Sequence, residues 1–93
     1  MDEQRSPYSR HVLVCVNRRG DGQSCGPDGG EEILQALREE VNRTGAYRHC
    51  NVSQVRCLGH CLDGPTVMVW PEGLLLTRVG KKDIPGLIRR FLR

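Results

Sequence analysis

Cysteine is the residue in this chain that could do chemistry: Cys15, Cys25, Cys50, Cys57 and Cys61 stand within 93 residues. Thiols at this density form disulfides, ligate metal or act as nucleophiles. Residues 1–10 (MDEQRSPYSR) are polar and lack the apolar core of an export signal, which predicts a reducing, cytoplasmic setting where disulfides are rare. An odd number of cysteines would also leave one unpaired. Four of them form two pairs, Cys15-x9-Cys25 and Cys57-x3-Cys61, with 31 residues between. Neither pair has the C-x2-C spacing common in zinc knuckles or the CxxC of thiol redox enzymes. Clustered cysteines in a reducing setting are more often metal ligands or catalytic thiols, and these four could converge if the fold brings the two pairs together.

The elements between the cysteines must bring those pairs together. Residues 11–16 (HVLVCV) are apolar and β-branched without alternation, which predicts a central strand buried on both faces and ending at Cys15. Residues 17–30, with five glycines and a proline, are a long loop that carries Cys25. Residues 31–43 place Ile33, Leu34, Leu37 and Val41 on one helical face, with Asp28 and Glu31 as a capping box and Gly45 as C-cap. Residues 49–54 are a weakly patterned strand with Cys50 and Val52 on one face. Residues 56–65 form the second loop, which carries Cys57 and Cys61. Residues 66–70 and 74–79 read as strands joined by the turn Pro71-Glu72-Gly73. The last segment repeats apolar residues at Ile84, Leu87, Ile88, Phe91 and Leu92, an amphipathic helix whose first turn tolerates Pro85.

A helix between the first two strands implies a parallel crossover, and the closing hairpin adds antiparallel strands. The expected fold is α/β: a thioredoxin-like sandwich with a four-stranded mixed sheet and two main helices. Its domain would run over residues 11–93, behind a flexible tail at residues 1–10. Both cysteine loops can then lie at one end of the sheet, where glycine backbones at Gly20, Gly22, Gly26 and Gly59 could approach cluster sulfurs.

Four segments, HVLVCVN (11–17), SCGPDGG (24–30), CLGHC (57–61) and GPTVMVWPEG (64–73), together resemble the thioredoxin-like 2Fe–2S ferredoxins. Related domains occur in the cluster-bearing small subunit of respiratory NADH dehydrogenases. The resemblance runs in order from about His11 to Arg93. It implies one 2Fe–2S cluster per chain, ligated by Cys15, Cys25, Cys57 and Cys61, one-electron transfer to a redox partner protein, and no enzymatic activity of the chain's own. It also implies a homodimer. Cys50 matches no ligand position and reads as a small buried apolar residue. His60, between two ligand positions, reads as an exposed loop histidine, and Trp70 as core.

Two other readings compete: a zinc-stabilised interaction module without redox activity, and a redox or iron sensor in which cluster loss is the signal. Charge and composition limit the partners. The formal net charge is +3, scattered along the chain, and the aromatics are only Tyr8, Tyr47, Trp70 and Phe91. Nucleic-acid binding would need a basic arm or a stacking platform, and neither is present. The apolar runs are too short for membrane insertion. Two ferric ions, two sulfides and four thiolates would bring the oxidised holoprotein to about +1. Arg18, Arg19, Arg56 and a protonated His60 near the cysteine loops would slightly outnumber Asp21, Asp28 and Asp63, so the expected partner surface is acidic or mixed.

Overall fold

The computed structural model describes residues 1–16, 29–56 and 64–93. Strand β1 spans Arg10–Cys15, helix α1 Glu31–Thr44, β2 Cys50–Val55, β3 Val67–Trp70, β4 Leu74–Leu76 and helix α2 Ile84–Phe91. The sheet order is β2-β1-β3-β4, with β1 and β2 parallel and the other pairs antiparallel. This is the expected four-stranded mixed sheet with two helices.

Pleat parity sorts the side chains. Val12 and Val14 of β1, Val52 of β2 and Val67 and Val69 of β3 are buried under the helices. From α1 come Ile33, Leu34, Leu37 and Val41, and from α2 Leu87 and Phe91, to complete one core. The helices touch each other, so both cover the same face of the sheet. The opposite face has no helix over it among the described residues. His11, Leu13, Met68 and Leu75 lie there half-buried, and Trp70 is 46% exposed.

Several expectations need correction. On β1 the face of Val12 and Val14 is buried, while on the other face His11 and Leu13 are half-buried and only Cys15, at the strand end, is fully buried, because no second layer packs on His11 and Leu13 among the described residues. Trp70 is not core: parity with Met68 turns it outward, over the Gly73 turn. Strand β4 stops at Leu76 and does not reach residue 79, because Arg78 adopts a left-handed backbone (φ 51°) and breaks the extended run. Helix α1 starts behind Gly30 with no side-chain cap bond, and Asp28 lies outside the described residues. Gly45 does cap its C-terminus, at φ 80°.

The far end of the sheet is held by Arg10. Its guanidinium donates to the Phe91 carbonyl at 3.1 Å, at the end of α2, and pairs with Glu72 of the β3–β4 turn. Cations at a helix C-terminus are favourable, and this one also ties three elements together. The first nine residues carry no regular element, although Ser9 N–H reaches the His49 carbonyl at 2.9 Å.

Candidate metal centre

Cys15 is the last residue of β1 and is fully buried. It is in register with Val55, the last residue of β2, and its N–H donates to the Thr66 carbonyl at 3.1 Å, just ahead of β3. The thiol donates to the Arg56 carbonyl at 3.4 Å. Strands on both sides therefore fix the backbone that carries this sulfur. Thr66, itself without exposure, lies across from it.

Cys25, Cys57 and Cys61 lie outside the described residues, as do His60, Arg18, Arg19 and the four glycines expected to approach a cluster. The described chain does define where their loops begin and end. Residues 17–28 leave after Val16, whose N–H bonds the Val55 carbonyl at 2.9 Å. Residues 57–63 leave after Arg56, whose carbonyl holds the Cys15 thiol. The first loop returns at Gly29, where φ is 117° and a Cβ would sit 3.8 Å from Pro65. Pro65 begins the return of the second loop, and its carbonyl accepts from Val79 N–H at 3.0 Å. All four loop ends are thus knit around Cys15, at one end of the sheet. Positive φ at Gly29 makes glycine the natural residue for the re-entry.

The fifth cysteine is elsewhere. Cys50 starts β2 and faces Arg10 in the register, at the opposite end from Cys15. It is 3% exposed, and its thiol lies 3.7 Å from the Phe91 carbonyl. Burial pushes the Cys50 thiol pKa up, against the opposing pull of the Arg10 guanidinium, and so favours the neutral form. A buried, protonated thiol is a packing residue, as its sequence context suggested. His11 accepts or donates a bond with the Ser6 hydroxyl at 2.9 Å and packs edge-on against Tyr8, which leaves it a local structural role. Among the described residues no group of three or more His, Cys, Asp or Glu side chains could hold a metal ion. No helix among them is long and apolar enough to cross a membrane.

Sequence reasoning missed two residues near the centre. Thr66 lies against Cys15, and Arg78 takes a left-handed backbone just ahead of Val79, whose N–H bonds the Pro65 carbonyl. Neither has a sequence signal of its own, because each is placed by backbone bonds between segments distant in sequence, Cys15 to Thr66 and Val79 to Pro65.

Comparison with known proteins converges on one group. The profile described as Thioredoxin-like 2Fe-2S ferredoxin matches residues 4–92. A 2Fe–2S ferredoxin of Aquifex aeolicus is 28% identical over 88 residues, covering 90% of this chain and 79% of the relative. One from Clostridium pasteurianum is 28% identical over 85 residues, covering 88% and 83%. The crystal structure of the wild-type thioredoxin-like 2Fe–2S ferredoxin from Aquifex aeolicus superposes with a TM-score of 0.82 at 28% identity, covering 91% of this chain and 86% of that one.

Proposed function

Because this chain belongs to the thioredoxin-like 2Fe–2S ferredoxins, we propose that it carries single electrons on one 2Fe–2S cluster held by Cys15, Cys25, Cys57 and Cys61. The observation that carries this reading is the closure of both cysteine loops on one buried thiol: Val16, Gly29, Arg56 and Pro65 meet around Cys15. The donor set fits the group, since thiolates from two loops are what such a cluster requires.

When bound, the cluster supplies a centre that gains or loses one electron. The polypeptide does the rest. Pairing of Cys15 with β2 and with Thr66 fixes the backbone that would carry one ligand. Burial at that position keeps water from the sulfur, and the surrounding dipoles and charge set the potential. The chain acts on a partner protein and transforms no substrate of its own. The uncovered sheet face with Leu13, Met68, Leu75 and Trp70 supports a homodimer, which sedimentation of the holoprotein tests directly.

Reduce the anaerobically purified protein and count spins by electron paramagnetic resonance. One unpaired electron per chain is expected. A colourless, spin-silent protein containing zinc would replace this reading with that of a structural zinc module.

A further inference from the structure

Arg78 occupies a backbone conformation that its residue type disfavours. It is the one non-glycine residue with positive φ among those described. Left-handed backbone crowds a Cβ, so glycine is the usual occupant and an arginine there asks for a reason. The turn has a structural purpose, which glycine would serve equally. It sends Val79 into the core, with its N–H on the Pro65 carbonyl at 3.0 Å. What glycine would not supply is the guanidinium. The Arg78 side chain is exposed and makes no ion pair or hydrogen bond with another described residue.

Its position gives that charge a use. Leu76 pairs with Val67, and Val67 with Val14, so Arg78 emerges at the end of the sheet that carries Cys15. Strand spacing puts Leu76 about 10 Å from Val14, two strands across, and Arg78 follows two residues beyond it. On the other side, Arg56 is exposed directly after β2, and its carbonyl holds the Cys15 thiol. Lys82 adds a third exposed cation nearby in sequence, while Lys81 is engaged by Glu32 at 2.7 Å. Cations from separate parts of the chain therefore bracket the centre.

We propose that Arg78, with Arg56, forms a cationic rim that docks an acidic surface of the redox partner protein over the Cys15 end of the sheet. This rests on the electron-carrier reading above. A cluster with four thiolates is anionic and repels an acidic partner, so exposed cations at the rim are what permit close approach. The step itself is a transfer of one electron: the reduced protein loses it, the acceptor gains it, and no bond forms or breaks.

The test uses reduced holoprotein in a stopped-flow instrument, with ferricyanide as anionic oxidant and hexaamminecobalt(III) as cationic oxidant. Reversing one charge about 10 Å from the electron exit should change the rate about five-fold at low ionic strength. Arg78→Glu should slow the ferricyanide reaction by that factor and speed the cobalt reaction, with both differences fading at high salt. Arg56→Glu should act in the same direction. A poly-glutamate peptide should inhibit the ferricyanide reaction of the wild type and much less that of Arg78→Glu. Arg78→Gly, which removes the charge and suits the left-handed backbone, should slow ferricyanide while leaving the melting temperature unchanged or raised. Rates indifferent to Arg78→Glu in a protein with an intact spectrum would overturn the docking role alone. A lower melting temperature for Arg78→Gly would likewise overturn it, by making the arginine a structural residue. A colourless wild type would overturn the electron-carrier reading and the docking role with it.

Discussion

Replacing Cys50 and Cys15 by alanine, one at a time, should give two different proteins, although each change deletes a single buried sulfur. The two residues sit on neighbouring strands, five residues apart in the register, or about 16 Å. At Cys50, which is 3% exposed, the loss is a methylene-sized piece of core, roughly 1 kcal/mol. Little else goes with it. The thiol's contact with the Phe91 carbonyl is long at 3.7 Å, and that carbonyl keeps the Arg10 guanidinium at 3.1 Å, so no acceptor is orphaned. The thiol is neutral, so no charge is removed. In a domain of this size about 1 kcal/mol lowers the melting temperature by about 4–8 °C. Cys50→Ala should therefore melt slightly earlier with an unchanged visible spectrum. Cys15→Ala should lose the spectrum, because on the proposed assignment a ligand goes with the sulfur. Calorimetry and absorption on matched holoprotein preparations check both. A Cys50→Ala protein that bleaches, or a Cys15→Ala protein that keeps its full spectrum, would refute the assignment of the two thiols.

Gly45→Ala should cost about 1 kcal/mol through backbone conformation alone, since φ is 80° and nothing lies within 4 Å of the new Cβ; urea titration should show a lower midpoint at unchanged slope. Chelation of the cluster should lower the thermal midpoint, because the proposed ligands would cross-link two loops in a small domain; identical holo and apo midpoints would contradict this. Glu72 is held below the ordinary carboxylate range first by a backbone N–H; burial opposes this, and the Arg10 hydrogen bond and the charges of Arg10 and Arg90 add to the lowering. Its ionised form therefore favours the folded state. That contribution is complete above the ordinary value of 4.5 and disappears as the pH falls below it. The stability gap between wild type and Glu72→Gln should shrink from about pH 6 to about pH 3, and a constant gap in denaturant titrations would count against it.

Much of the fold was legible because its signals are local. The spacing of Ile33, Leu34, Leu37 and Val41 defines α1, Gly45 ends it, and the Leu87–Phe91 period defines α2. Strand β2 was weakly patterned because it is stabilised by parallel pairing with β1, whose order only the crossover revealed. Trp70 was misplaced since an aromatic on a strand reads the same inside or outside, and only the absence of a layer on that face decides. The early end of β4 was hidden because Thr77-Arg78-Val79 has ordinary strand composition, and it is the Val79 bond to Pro65 that turns the chain. Arg10 gave no sign of its clamp, because Glu72 and Phe91 lie 62 and 81 residues away. At the candidate centre, cysteine type and spacing were visible at once, and the structure adds the convergence of the loop ends on Cys15.

The central claim is that four thiolates of this chain hold two irons and two sulfides. Iron, acid-labile sulfide and zinc should be quantified per chain on protein purified without oxygen. The account predicts two irons, two sulfides and no stoichiometric zinc; four irons with four sulfides, or zinc without sulfide, would contradict it.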